Sequence, residues 1–282
     1  MRTYIIALAA IGLTAGAALA QDETAAEAPA GPWTHKLVGA ITATQVQLKD
    51  WSQGGEDALA WTVSLDGASN YESGRYNVAN TYQFAFGQTK LGSGGVRKTD
   101  DRIDLSSTLT YMLGTILNPY VSATFKTQFA GGYTYEPKVE ISKFLDPAYI
   151  TQSAGVGYQP RPEIKTRLGL GLREVITSDY TRYADDPGTT KIEDVSVDGG
   201  LESVTDAEWQ MSDNVLFTSK LEVFAPLAAV DETVLRNNNR LTVKVSEYVN
   251  VNLNVELVQD DKATEDLQVK QVLALGLSYS FI

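Results

Sequence analysis

From residue 36 onward, apolar and polar positions alternate with a period of two. Leu59, Trp61, Val63, Leu65 and Tyr71 share one face of a segment whose other face holds Ala60, Thr62, Ser64, Asp66, Ala68 and Asn70. Tyr76, Val78, Tyr82, Phe84 and Phe86 repeat the pattern against Asn77, Thr81, Gln83 and Gly87. It returns in 102–113, 121–129, 164–176, 215–223, 240–245, 249–257 and 270–281, with weaker forms near 149–158 and 195–209. A period of two is that of a strand with one apolar face. The segments predict about twelve strands, each near the length that a tilted strand needs to cross a bilayer.

A soluble sandwich also has strands with one apolar face. The connections favour a barrel. Short links (ESG, GTILNP, QPRP, MSDN, SEYVN) alternate with mostly longer ones: KDWSQGGED, LGSGGVRKTDD, 131–147, 177–194, PLAAVDETVLRNNN and QDDKATED. Outer-membrane barrels have short periplasmic turns and long external loops, and an even strand count puts both termini on the periplasmic side. Aromatics gather at the short links: Tyr71, Tyr76, Tyr111, Tyr120, Tyr158, Trp209, Tyr248, Tyr279 and Phe281. They are expected to form a periplasmic girdle, because an amphipathic ring is most stable at a membrane interface. A second group, Trp51, Tyr133, Tyr135, Tyr149, Tyr180 and Tyr183, falls in or near the long loops. The predicted fold is all-β: a transmembrane, antiparallel, up-and-down β-barrel of about twelve strands.

The start of the chain lacks the alternation. Residues 1–20, MRTYIIALAAIGLTAGAALA, combine Arg2, a diluted apolar stretch and a small-x-small ending. They read as a signal peptide cut after Ala20, since the apolar run is short for a membrane anchor. Residues 21–32 are rich in Ala, Pro and acids, as a flexible linker is. The barrel is assigned to 33–282. The 282 residues include no cysteine, which removes a lipoprotein anchor and disulfides from consideration. The expected location is the outer membrane, with its lipids and the barrel-assembly machinery as partners.

The stretch QVQLKDWSQGGEDALAWTVSLDGASNY resembles the start of a family of exported bacterial outer-membrane β-barrel proteins that form a domain of unknown function. The residues that match are Gln45, Gln47, Trp51, Ser52, Gly54 and Gly55, then Leu59, Trp61 and Val63; Asp50 stands where the family usually has Asn. The resemblance implies a barrel and supplies no catalytic residues. Gly54 and Gly55 suit a tight reversal in the first external loop; the other reading folds that loop inward to constrict a pore.

Charge enters the picture in the lumen. The predicted lining holds Arg102, Lys126, Lys165, Arg167, Arg173, Lys220, Arg240, Lys244 and Lys270, with Asp66, Asp104, Glu222 and Glu256 on the same faces. The basic excess contrasts with a net charge of -12 for the whole chain. Inward charges need water or partners. They either line a narrow pore that favours small anionic solutes or pair across the lumen and close it; a twelve-strand barrel lies between the filled and open sizes. The leading expectation is a passive channel. The alternative is a structural or surface-interaction barrel with a closed lumen, working through its long acidic loops. No enzyme is expected, because the single histidine, His35, lies at the periplasmic start of the first strand. No cofactor or metal is expected: the acidic runs 179–186 and 260–266 lack the spacing of a calcium loop. An acidic surface also disfavours nucleic acid.

Overall fold

The computed structural model describes residues 31–47, 56–186, 188–260 and 264–281. Fourteen strands run in chain order: β1 (Trp33–Val46), β2 (Ala58–Ser73), β3 (Tyr76–Leu91), β4 (Val96–Tyr111), β5 (Leu117–Thr127), β6 (Gly132–Tyr135), β7 (Lys138–Ser142), β8 (Ala148–Arg161), β9 (Ile164–Ile176), β10 (Val195–Ser212), β11 (Val215–Pro226), β12 (Val234–Lys244), β13 (Val249–Asp260) and β14 (Thr264–Ser280). Twelve of them close one antiparallel barrel in sequential order; β6 and β7 form a separate hairpin between β5 and β8. The weak segments near 149–158 and 195–209 are full strands, so the predicted number holds.

The short connections fall where the sequence places them. The tightest joins β2 to β3 through Gly74 and Arg75, with Ser73 paired to Tyr76. Gly74 has φ +58°, a left-handed value open to glycine without steric cost. The long connections are partly corrected. LGSGGVRKTDD shrinks to Gly92–Gly95, because 96–101 continue β4, and most of QDDKATED extends β13 and β14. The polar run RNNN, predicted as loop, lies inside β12. In each case pairing to a neighbouring strand satisfies the backbone and overrides the low strand propensity of Asp, Asn and Lys.

The barrel is inside out relative to a soluble fold. Its outer wall presents Ile41, Leu168, Leu170, Leu273, Leu275 and Leu277, each more than half exposed. Its interior holds buried polar groups, Ser122, Thr124, Ser153 and Glu202 among them, beside Tyr120, Val204 and Phe224. Burial of one large aliphatic side chain is worth about 1.5–3 kcal/mol. Only a lipid solvent recovers that around the whole wall, and this is the architecture of a transmembrane β-barrel. Barrel closure is uneven. β1 and β2 pair from Trp33 to Val46, whereas β1 and β14 pair only from Val38 to Thr42.

Aromatic rings pair at the short-turn end. Trp33 meets Tyr71, Tyr76 meets Tyr111, Trp209 stacks on Phe217, and Tyr248, Tyr279 and Phe281 form a run. Tyr158 is exposed on β8. Tyr120 departs from the predicted girdle. It is 4% exposed, and it shares the parity of Ser122, Thr124 and Lys126, which point inward. Its register partner on β8 is Gly155, and Gly155 faces Gly169 on β9. The absent side chains at this glycine pair make the space the Tyr120 ring fills.

Candidate functional site: the lumen and its cover

Ion pairs between strands that are not neighbours show which side chains cross the interior. At the centre, Lys126 on β5 bonds Glu222 on β11, and Lys126 also lies 3.3 Å from Asp104. Glu222 accepts from Lys220 at 3.0 Å. The result is a chain of alternating sign, Asp104–Lys126–Glu222–Lys220, anchored on both sides of the lumen. A second group links β4, β13 and β14: Arg102 lies 3.9 Å from Asp100 and 3.8 Å from Glu256, and Lys270 bonds Asp100 at 2.9 Å. Arg173 reaches Asp260 at 3.3 Å, and Arg240 approaches Asp66 at 3.6 Å.

The remaining predicted lining residues take different places. Arg167 lies beneath the Tyr120 ring and 3.8 Å from Glu202, with Nε and Nη2 buried and lacking a hydrogen-bond partner. Lys165 and Lys244 are exposed near the short-turn end; Lys165 stands opposite Asp206 in the β9–β10 register, and Lys244 opposite Asn250. Trp51, Ser52, Gly54 and Gly55 lie outside the described residues.

The expected basic excess narrows, although Arg236 adds a base to the lining. Asp100 and Asp260, predicted as loop, and Glu202, in a weakly patterned segment, supply the missing acids. Period-two parity carried past the assumed strand ends would have found Asp100, which shares a face with Arg102 and Asp104. Tyr149, grouped with the loop aromatics, faces inward between the guanidiniums of Arg173 and Arg236, whose carbons lie 5.5 and 5.6 Å from its ring. Desolvated cation–π contacts of this kind hold a lumen wall rigid.

The pairing divides the interior into chambers. One, of about 410 Å³, lies among Lys126, Lys220, Glu222, Arg102 and Lys270 and reaches Ser142, Pro147 and Tyr183 of the long-loop end. Another, of about 530 Å³, runs along β1–β3 and β12–β14 between small and polar groups: Ala40, Thr42, Thr62, Ser64, Asn238, Thr242, Asn250, Asn252 and Asn254. Here amides bond one another and their neighbours. Thr242 donates to Asn252 at 2.8 Å, and Arg240 donates to Asn254 at 2.9 Å.

The cover is folded. The Asp101 carboxylate accepts from the backbone N–H of Phe129 and Ala130 and from Lys98. Asp146, 1% exposed, accepts from the N–H of Ser178 and Asp179. The Tyr183 hydroxyl donates to the carbonyl of Ile141 at 3.2 Å, and Lys143 pairs with Asp179. The β6–β7 hairpin is thus tied to the β4 end and to the 177–194 loop. Burial first, and then the Glu140 carboxylate, push the Tyr180 hydroxyl from its ordinary 10.0 up to about 12. A raised value means that the contribution of the neutral phenol is complete below pH 10 and is lost as pH rises toward 12. The absorbance titration of Tyr180→Phe is expected to lack one late tyrosinate step present in the parent, and retention of that step would contradict the assignment.

His35 lies on the outer wall at the short-turn end, its Nδ1 2.9 Å from Ser69 Oγ and its ring stacked on Trp33. Among the described residues no carboxylate bonds to the ring, so a triad is not assembled there.

Two family models match the chain. Residues 43–133 match a protein of unknown function, DUF3078, and residues 148–281 match a protein of unknown function, DUF481. The first match runs from the end of β1 into β6; the second spans β8–β14. Neither description assigns a reaction. Comparison with curated proteins gives no match. Among solved structures, the chain is similar to the COG4313 outer membrane channel from Pseudomonas putida F1 (12% identity, 92% of this chain and 98% of that one, TM-score 0.41). It is also similar to the translocator domain of autotransporter NalP from Neisseria meningitidis (13%, 90% and 90%, 0.38) and to the KdgM porin (8%, 87% and 99%, 0.32). At these TM-scores the likenesses carry no weight, and the barrel stands on the strand pairing of this chain itself.

Proposed function

We propose that the protein is an outer-membrane β-barrel that passes small polar solutes slowly through a constricted lumen. The chamber of about 530 Å³ beside β1–β3 and β12–β14 carries this reading. Its lining offers hydroxyls and amides to a solute, while its charged members are paired. Paired lining charges leave little net field along the path, so the anion preference expected from the sequence is replaced by weak selectivity. The apolar outer wall, the even strand number and the leader-like residues 1–20, cut after Ala20, support the location. In that setting the short turns face the periplasm, and the partners are outer-membrane lipids and the assembly machinery.

Purified protein in a planar bilayer is expected to give small, stable conductance steps with weak ion preference across a salt gradient. Silence from folded, inserted protein would end this reading. The folded cover, pinned through Asp101 and Asp146, then favours a surface-interaction barrel with a closed lumen.

A further inference from the structure

The run Arg236–Arg240 reads as loop in the sequence, yet it lies in the middle of the wall. Arg236, Asn238 and Arg240 face the lumen chambers, which turns Asn237 and Asn239 outward. Asn239 is paired with Ser219 on β11 and Val255 on β13; Asn237 is paired with Leu221 and Leu257. Thr205 stands opposite Leu221 on β10, and its hydroxyl meets Thr166 at 2.5 Å. These polar groups sit among Leu221, Val223, Leu235, Leu241, Val255 and Leu257. The Trp209–Phe217 stack lies level with Leu241, so Asn239 and Asn237 stand about 7 and 13 Å further along the strand, within the apolar band.

Their hydrogen bonding is incomplete. The Asn237 amide donates to Ser219 Oγ and to the Lys220 carbonyl, both at 3.5 Å, and Asn239 donates to Asn237. A carboxamide offers two N–H groups and two acceptor sites. Among the described residues the Asn239 carbonyl oxygen accepts nothing. Lipid tails offer no partner, and an unsatisfied polar group in hydrocarbon is costly. Beside Asn239 the outer wall forms a groove of about 510 Å³ lined by Trp209, Met211, Phe217, Leu241 and Leu253.

We propose that this face of β10–β12 binds a second copy of the chain, through Asn237, Asn239 and Ser219 with the adjoining groove receiving apolar side chains of that copy. The patch is self-complementary. A carboxamide is donor and acceptor at once, so a two-fold axis through the patch sets each amide against its equivalent. An apolar lipid cannot do this, and a partner of different sequence would need a matching pattern of its own.

The full chain in lipid bilayers at several protein-to-lipid ratios is the sample, and the dimer fraction is the readout. Asn237→Leu with Asn239→Leu keeps the outer wall apolar and is expected to weaken association by about tenfold or more, with heat-modifiable migration unchanged. Because the chain has no cysteine, Asn239→Cys offers an independent check. It is expected to give a disulfide-linked dimer on oxidation in the bilayer, whereas Leu109→Cys, exposed on β4 across the barrel from β12, is not. A monomer at every ratio, a dimer that survives the double leucine variant, cross-linking equal at both sites, or capture of lipid or another protein alone would each overturn the proposal.

Discussion

Replacing Lys126 and Glu222 together with alanine is expected to raise single-channel conductance about two- to fivefold. The pair crosses from β5 to β11 and is the only bridge in its chain that spans the lumen, the Asp104 and Lys220 contacts being made to neighbouring positions. Removing both ends deletes the crossing and leaves Asp104 and Lys220 as wall charges of opposite sign, so conductance rises without a large change in selectivity. Glu222→Ala alone is a different experiment. It takes the Glu222 carboxylate from Lys220 and leaves Lys126 with Asp104 at 3.3 Å. The cost is expected to be about 2–3 kcal/mol, below the range for dry interiors because lumen water reaches about a fifth of each side chain. The double variant should therefore be more stable than the single one, as thermal unfolding in detergent would report. Equal conductance in the parent and double variant would mean that solutes bypass this bridge through the β1–β3 side.

The second large effect concerns folding. Gly155→Val is expected to abolish the heat-modifiable folded form. A Cβ at 155 would lie 2.2 Å from the Leu168 carbonyl oxygen and 2.4 Å from the Gly169 Cα, both backbone atoms without freedom to move. At Gly169 a Cβ would meet the Ala154 carbonyl at 2.4 Å and the Tyr120 hydroxyl at 2.6 Å. Overpacking usually costs about 1–3 kcal/mol, and a clash with two ladder strands exceeds that range. Gly157→Ala is the control, since its Cβ would come no nearer than 3.5 Å to another atom. If Gly155→Val folds as well as Gly157→Ala, the close approach of β8 and β9 is wrong.

Much of the barrel was legible in the sequence because a strand between lipid and water writes its two solvents into alternate residues. The pattern of β9, with Leu168, Leu170 and Leu172 against Arg167, Gly169, Gly171 and Arg173, needs nothing from elsewhere in the chain. What failed was information set by neighbours. Tyr120 was placed by its chemistry at an interface, although its parity with Lys126 points inward and Gly155 and Gly169 open the space for it. Asp100 and Asp260 were lost because polar runs were equated with loops. The Asn run was lost for the same reason: three consecutive amides carry no alternation, yet pairing with β11 and β13 gives them opposite faces. The β6–β7 hairpin rests on the end of β4 and on the 177–194 loop, which local pattern cannot convey. Among the predicted lining residues, Lys126 with Glu222, Arg240 with Asp66 and Arg102 with Glu256 pair as parity places them, while Asp100, Asp260 and Glu202 come from segments assigned elsewhere.

The uneven closure between β1 and β14 bears on how the molecule comes to exist. The paired residues, Val38–Thr42 with Gly276–Ser280, are separated by roughly 240 positions of chain, the most non-local contact in the fold and the one with the greatest loop-closure entropy to overcome. Every other wall strand finds its partner through a nearby hairpin or a single intervening excursion. The closing ladder is therefore the last step of assembly and the first to open, and until it forms the sheet carries two free edges able to pair with whatever strand is presented.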